Sequence, residues 1–330
     1  MAICLMMLLQ FFFANAQQKY PATLKVAQDG SGDYKTIQEA VNSVRDLGKQ
    51  EVKIFIKSGV YHEKLIIPSW KTNVSLIGED AANTVITNDD YSGKHYAGGR
   101  EDAFGLTKFS TYTSYTVLVQ GNNFTAQQLT IQNISGKVGQ AVALHIEGDK
   151  ATIKDCRILG NQDTLYAAGA GSRQYYVNCY IEGTTDFIFG EATAIFQDCT
   201  VKSLSNSYIT AAATTENQKF GFVFFYCKLI ADKGVDRVFL GRPWRPYAKT
   251  VFIRTEMGAH IVPEGWHPWA GDAMFPDKEK TAYYAEYQSS GVGANARQRV
   301  TWSKQLSNRE IKNYTIKRIF STAAPWEPEL

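Results

Sequence analysis

The sequence has little of what marks a non-globular protein. Only 9 of its 330 residues are proline and 20% are charged, whereas 44% are hydrophobic. A disordered, collagen-like or acidic-tail protein is therefore excluded. Neither charge is in clear excess, because 35 basic and 32 acidic residues give a net charge of +3. Nucleic-acid binders usually concentrate positive charge, so we expect no nucleic-acid partner.

Long hydrophobic runs are absent after residue 16. Residues 1–16 are apolar, contain no charged residue and end in Ala14-Asn15-Ala16. This pattern predicts a secretory signal peptide cleaved after Ala16. Its run of about 13 apolar residues is too short for a bilayer, which needs about 20. We expect residues 17–330 to form a single secreted domain without membrane attachment, extracellular or, if the source is bacterial, periplasmic.

Cysteine is also scarce, but its spacing is informative. Signal cleavage would remove one of the five cysteines. The other four recur at separations of 23, 20 and 28 residues, and an aliphatic residue follows each two positions later; they are Cys156, Cys179, Cys199 and Cys227. A repeat of this length made of short β-rich runs predicts a solenoid in which each coil buries its inward residues on its neighbours.

The four cysteines have three interpretations. A zinc site is disfavoured because no C-x-x-C pair or histidine cluster accompanies them. Disulfides between adjacent coils stay open for an exported protein with an even number of cysteines. The pattern favours buried thiols that act as small hydrophobic side chains.

Two aspartates share the cysteine period. Asp163 and Asp186 each lie seven residues after a cysteine, so their separation of 23 residues equals that of Cys156 and Cys179. In register on neighbouring coils, their carboxyl groups would lie about 5 Å apart, one strand spacing. Such a pair separates into one acid with a raised pKa and one with a lowered pKa, which suits a general acid beside a nucleophile. The alternative is a solvated turn ladder, but the apolar neighbours of Asp186 favour a functional site.

Helical periodicity occurs only near the two ends. Apolar residues from Ile37 to Leu47 recur at helical spacing and predict one short N-terminal helix. Ser307 and Glu310 form a capping-box pattern. This pattern predicts a C-terminal helix that runs to about Phe320 and packs outside the coil.

Five short segments carry a resemblance to a known family. They are G-V-Y-H-E at 59–63, G-Q-A-V-A-L at 139–144, Q-D-T-L-Y at 162–166, D-F-I-F-G at 186–190 and L-G-R-P-W at 240–244. In this order, over most of the chain, they resemble the motifs of the pectin methylesterases. The resemblance implies an all-β solenoid, a single-stranded right-handed parallel β-helix. The chain departs from the family pattern at Asn161, where tyrosine is frequent, and at Glu191, where asparagine is frequent.

The resemblance also implies a reaction and its residues. It implies hydrolysis of methyl esters of polygalacturonate, with Asp186 as nucleophile and Asp163 as general acid and base. Gln140 and Gln162 would donate hydrogen bonds to the oxyanion, and Arg242 would hold Asp186 ionised.

The remaining implications concern ligands. Trp244 would stack on a sugar ring, and Tyr166, Phe189 and Thr111 are further candidates for contacts in the cleft. The expected partner is methyl-esterified homogalacturonan (pectin), with no cofactor, no metal ion and a monomeric state.

Two other functions stay open from the sequence. A pectate lyase or polygalacturonase-like enzyme could use the same fold, and two carboxyl groups about 5 Å apart would suit a retaining glycosidase. A non-catalytic carbohydrate-binding β-helix would require the aspartate pair to be incidental. Two amide donors beside the pair favour the ester reaction, because an oxocarbenium ion needs no such donors.

Overall fold

Short parallel strands make up most of the regular structure. The computed structural model describes residues 20–321 and 325–328, so the predicted signal peptide at 1–16 lies outside the described residues. The strands form three sheets of eleven, eight and seven members. Each turn of the coil gives one strand to each sheet in turn, and neighbouring strands are parallel. The chain is therefore a right-handed parallel β-helix, which confirms the predicted fold class.

The three sheets run along the length of the coil. The first sheet contains β1 (Thr23–Val26), β2 (Val52–Ile56), β5 (Val74–Gly78), β8 (Thr125–Gln127), β11 (Ala151–Lys154), β14 (Arg173–Val177), β17 (Thr193–Gln197), β20 (Phe222–Phe225), β23 (Lys249–Ile253), β25 (Tyr283–Tyr287) and β26 (Lys304–Gln305). The second contains β3 (Gly59–His62), β6 (Thr84–Asn88), β9 (Thr130–Asn133), β12 (Arg157–Leu159), β15 (Tyr180–Gly183), β18 (Thr200–Ser203), β21 (Lys228–Ala231) and β24 (Glu256–Met257). The third contains β4 (Leu65–Ile67), β7 (Val117–Val119), β10 (Leu144–Ile146), β13 (Leu165–Ala167), β16 (Ile188–Gly190), β19 (Tyr208–Ala212) and β22 (Phe239–Gly241).

Side chains of equivalent positions stack inside the coil. From the first sheet, Tyr176, Phe196, Phe224 and Phe252 form a continuous stack with ring centroids 4.3–4.7 Å apart. Such contacts repeat from coil to coil because the strands pair in register. Each coil thereby buries an aromatic ring that it could not bury alone.

The four cysteines belong to the same interior. Each follows a residue with positive φ at the turn between the first and second sheets and lies 1–2% exposed. All four are free thiols, and the Sγ atom of Cys179 lies 3.3 Å from the carbonyl oxygen of Ile153. The prediction of buried thiols is confirmed. Burial raises the pKa of the Cys156, Cys179 and Cys199 thiols, which keeps them in the neutral form.

A short helix covers the N-terminal end of the coil. Helix α1 (Ile37–Ser43) begins with a capping box between Thr36 and Glu39. The Glu63 carboxylate accepts hydrogen bonds from the first two backbone N–H groups of the helix. The helix ends before Leu47, which has a φ of 52° and is exposed, so the last predicted turn does not form.

The C-terminal segment contains a shorter helix than predicted. The side chains of Ser307 and Glu310 do form a capping pair, but only a 3-10 turn follows, at Glu310–Asn313. Thr315 then caps a separate helix, α2 (Ile316–Ile319). A second N-cap divides the segment, so the prediction of one helix to Phe320 is wrong.

The packing of this segment agrees with the prediction. Ile319 and Phe320 are buried in an apolar cluster with Val223 and Val251, which lie on the outer face of the first sheet. Within residues 20–321 and 325–328, no helix has the length and apolar character needed to cross a membrane.

Candidate active site

Asp163 and Asp186 occupy equivalent turns on neighbouring coils. Each lies two residues before a strand of the third sheet, and those strands pair Leu165 with Ile188. Both aspartates adopt the left-handed conformation, with φ of 64° and 50°, which aspartate tolerates better than most residues. The amide N–H of Asp163 donates to the carbonyl oxygen of Thr185 at 3.1 Å. The register that the sequence predicts therefore brings the two acids to the same angular position, one strand spacing of about 4.8 Å apart.

Arg242 binds one member of the pair. Its Nε atom donates to Oδ1 of Asp186 at 3.0 Å and its Nη2 atom to Oδ2 at 2.6 Å. The guanidinium carbon lies 4.1 Å from the ring centroid of Tyr208 and 3.6 Å from that of Trp269. This two-point contact fixes the plane of the Asp186 carboxylate as well as its charge.

The surroundings of the two carboxyl groups differ. Burial and the negative charge of Asp186 raise the pKa of Asp163 well above its ordinary value of 3.8. Burial also raises the pKa of Asp186, but hydrogen bonds and the positive charge of Arg242 oppose this effect. Within the described residues, no hydrogen bond reaches the carboxyl group of Asp163. These surroundings favour the charged form of Asp186 over that of Asp163.

Two glutamine side chains lie beside the pair. Gln140 and Gln162 form a parallel bridge between adjacent coils, and the N–H of Ala141 donates to the carbonyl oxygen of Gln162 at 3.0 Å. Gln140 is exposed and Gln162 half-buried. In the part of the chain that the structure describes, neither side-chain amide has a hydrogen-bond partner. Both amides are thus free to donate to a ligand in the cleft.

These groups open into a cleft of about 210 Å³. The cleft contains both acids, both glutamines, the arginine and several aromatic rings; its lining residues are Thr111, Tyr112, Gln140, Gln162, Asp163, Asp186, Phe189, Ala211, Arg242, Trp244 and Trp269. The structure thus brings eight of the nine predicted site residues together.

Tyr166 is the exception, because it is not among the residues that line the cleft. Its ring stacks on Phe189 with centroids 4.4 Å apart and planes 3° from parallel. Trp244 meets Phe189 edge-on at 5.7 Å. The Tyr166 hydroxyl donates to Oε1 of Glu191 at 3.4 Å, and burial raises the pKa of that carboxyl. Tyr166 lies beside Phe189 on the same face of the third sheet, and its contact with a ligand in the cleft stays a prediction.

Three lining residues were not predicted from the sequence. Tyr112 follows the predicted residue Thr111, and Ala211 pairs with the predicted residue Phe189 in the strand register. Trp269 comes from segment 267–282, which lies between β24 and β25 outside the repeating strands. No periodic pattern in the sequence marks a segment that leaves the repeating strands in this way. The cue that the sequence offers is a tryptophan between proline and alanine.

Taken together, the site is of a class that can transfer an acyl group. A carboxyl group with a raised pKa, an oriented carboxylate and two free amide donors surround one cleft on a parallel β-helix, and such a set could support nucleophilic attack on an ester carbonyl. Within the described residues, no group of three or more His, Cys, Asp or Glu side chains could hold a metal ion.

The pectinesterase family model matches residues 23–323, so the chain belongs to the pectinesterase family. It is 36% identical over 322 residues to the probable pectinesterase/pectinesterase inhibitor 58 of Arabidopsis thaliana, covering 93% of this chain and 53% of that protein. It is 40% identical over 299 residues to putative pectinesterase 11 of the same plant, covering 89% and 78%. The chain thus spans about half the length of several curated relatives that it matches.

Solved structures show the same fold. Pectin methylesterase from carrot superposes with a TM-score of 0.79 at 35% identity, covering 90% of this chain and 92% of that one. Pectin methylesterase PemA from Erwinia chrysanthemi gives 0.78 at 31% identity, covering 93% and 98%. A pectin methylesterase in complex with a hexasaccharide has the same score, identity and coverage. The family resemblance stated from the motifs is confirmed.

Proposed function

We propose that the protein is a pectinesterase that hydrolyses methyl esters of polygalacturonate to methanol and free carboxylate. The observation that carries the proposal is the bidentate Arg242–Asp186 contact beside Asp163 and two unpaired amides in one cleft. Family membership and a structural relative solved with a hexasaccharide support pectin as the substrate.

In the first step, the Asp186 carboxylate attacks the ester carbonyl carbon. The carbonyl double bond opens to a tetrahedral oxyanion, which Gln140 and Gln162 stabilise through their amide N–H groups. A preorganised donor of this kind contributes about 3 kcal/mol to the transition state. Asp163 gives its proton to the methoxy oxygen as the carbon–oxygen bond breaks. Methanol leaves, and the galacturonyl group is joined to Asp186 as an anhydride.

In the second step, Asp163 is ionised and acts as a base. It removes a proton from water while the water oxygen attacks the acyl carbon. The anhydride bond to Asp186 breaks and releases galacturonate as its carboxylic acid, which loses its proton to solvent. Asp163 is protonated again and Asp186 is again the anion, so both groups return to their starting states.

The cleft walls suit a sugar chain. The aromatic side chains of Trp244, Phe189 and Trp269 line the cleft, and aromatic rings can stack on pyranose rings. Thr111 and Tyr112 add hydroxyl groups to the lining. We further propose that the enzyme is secreted, acts on pectin outside the cell as a monomer and needs no cofactor.

Product analysis of highly methylated pectin tests the proposal. Wild-type protein should release methanol without new reducing ends or unsaturated products, and EDTA should leave the rate unchanged. New reducing ends would instead indicate a glycosidase, and unsaturated products a lyase. Folded protein that forms none of these products would favour the carbohydrate-binding alternative.

A further inference from the structure

A buried lysine lies next to the site without a role in the proposed chemistry. Lys278 belongs to segment 267–282, and its side chain is 1% exposed. Its Nζ atom donates to Oδ2 of Asp272 at 2.7 Å and to the backbone carbonyl oxygen of Trp244 at 3.3 Å. The other oxygen of Asp272 accepts from the backbone N–H of Met274 at 3.0 Å. A lysine this deeply buried is rare unless it is paired, so this ion pair is a built feature of the segment.

The lysine shares an aromatic ring with the catalytic arginine. Nζ of Lys278 lies 4.4 Å from the centroid of Trp269, and Cζ of Arg242 lies 3.6 Å from the same centroid. Two cations therefore contact one indole, whose π face attracts both. Trp269 has a φ of 58°, and its backbone N–H donates to Nδ1 of His267 at 3.0 Å.

We propose that Lys278, held by Asp272, is a positioning residue that fixes Trp269 and thereby holds the Arg242 guanidinium in plane with Asp186. The inference rests on the proposed function only for its kinetic consequences. Arg242 has a long flexible side chain, and its two-point contact with Asp186 requires a defined plane. The rings of Tyr208 and Trp269 both contact the guanidinium. Lys278 contacts the second of these rings, Trp269.

The same lysine adds to the positive field at the nucleophile. Four ionisable groups influence Asp186 from the elements around it: Asp163, Arg242, Lys278 and the buried hydroxyl of Tyr284. The positive charge of Lys278 favours ionised Asp186. Its removal should raise the pKa of Asp186, so the enzyme should need a higher pH to reach full activity.

Kinetics of four variants test the proposal. Lys278→Met removes the charge at similar size, Lys278→Arg keeps it, and Asp272→Asn loosens the anchor of the lysine. The matched control is Lys280→Met, because Lys280 belongs to the same short 3-10 turn but forms an exposed pair with Asp277. We expect Lys278→Met to lower kcat for methanol release roughly 10- to 100-fold, with little change in KM and an acid limb moved to higher pH. Asp272→Asn should act in the same direction, whereas Lys278→Arg and Lys280→Met should resemble wild type.

A second measurement does not depend on activity. The Nε–H resonance of Arg242, assigned by its loss in Arg242→Lys, should exchange slowly with water in wild type because it is bonded to Asp186. It should exchange faster in Lys278→Met than in Lys280→Met. Wild-type protein that releases no methanol would refute the proposed function, yet this exchange would still test the positioning role.

Two results would overturn the inference. One is a Lys278→Met variant with wild-type kcat, acid limb and Nε–H exchange. The other is an activity loss that only follows the folded fraction, measured by circular dichroism, with unchanged kcat per folded molecule. The second result would mean that Lys278 only stabilises its segment.

Discussion

The coil has two sets of turns that carry similar residues but differ in their surroundings. At the turn between the first and second sheets, Asp155, Asn178 and Asp198 each have a φ of 53°. At the turn between the second and third sheets, Asp163 and Asp186 adopt the same left-handed conformation. Both sets repeat with the coil, so neither backbone conformation nor residue type separates them.

Burial and partners do separate them. Asn178 and Asp198 are exposed, and Nδ2 of Asn178 donates to Oδ1 of Asp155 at 2.5 Å. That turn is the solvated ladder that the sequence alone could not exclude for Asp163 and Asp186. The latter two are only 7% and 5% exposed. A buried carboxylate close to another cannot ionise freely, so the second turn could supply an acid and a base, whereas the side chains of the first turn bond each other.

The largest expected effect comes from removing the nucleophile. Asp186→Asn should lower kcat for methanol release by about 10³-fold or more, because the neutral amide cannot form the acyl-enzyme. Asp198→Asn is the matched control, since it makes the same change at the exposed turn and should keep wild-type kcat. Undiminished methanol release by Asp186→Asn would contradict the assignment.

Loss of the acid should be almost as severe. Asp163→Asn keeps the size of the side chain but can neither protonate the leaving methoxy group nor activate water. We expect a decrease in kcat of roughly 10²- to 10⁴-fold, measured as the initial rate of methanol release. A decrease in kcat of less than fivefold would mean that solvent serves as the acid and that the position of Asp163 beside Asp186 is unimportant for catalysis.

The oxyanion donors should matter less than the acids. Gln162→Leu removes one amide donor at similar volume and should lower kcat about 10²-fold with a smaller change in KM, because the bond strengthens in the transition state. Gln174→Leu is unsuitable as a control because its amide is buried and bonded. Gln120→Leu is the better control, because the Gln120 amide donates a hydrogen bond to Glu147 and Gln120 is not among the residues that line the cleft. If Gln162→Leu behaved like Gln120→Leu, the oxyanion role would be wrong.

The activity should depend on pH through both acids. Asp186 must be ionised, and its raised pKa places the acid limb of kcat/KM above the ordinary aspartate range. Asp163 must be protonated, and its strongly raised pKa places the loss of activity at higher pH. A bell-shaped profile follows, with the alkaline limb absent in Asp163→Asn. A wild-type profile that stays flat above the acid limb would contradict a protonated Asp163.

The smallest effect belongs to the exposed ladder. Asp155→Asn should change the free energy of unfolding by less than about 1 kcal/mol and leave methanol release unchanged, because its partner Asn178 can bond an amide oxygen equally well. Urea unfolding measures the stability difference. A loss of activity there would show that the two turns are not functionally distinct.

The repeating part of the molecule could be predicted from sequence. The cysteine period predicted the coil, and counting seven residues from Cys156 and Cys179 placed Asp163 and Asp186 in register, as the pairing of Leu165 with Ile188 shows. Local pattern succeeds here because each coil must repeat the geometry of its neighbour.

The parts outside the repeat could not be predicted. Trp269 and Lys278 lie on segment 267–282, whose position depends on tertiary contacts with Trp244 and Arg242. Tyr166 has the alternation of a strand, but which of the neighbouring rings line the cleft depends on side-chain packing. The terminal helix is broken at Thr315, where a second N-cap competes with helix propagation.

The most direct test is a carbon-13 NMR titration of the two carboxyl groups, assigned by the signals lost in Asp163→Asn and Asp186→Asn. We predict that at one intermediate pH Asp163 is still protonated while Asp186 is ionised, with Asp163 losing its proton well above 3.8. If both carboxyl groups ionise together in the ordinary aspartate range, the turn is another solvated ladder and the acid–nucleophile pair does not exist.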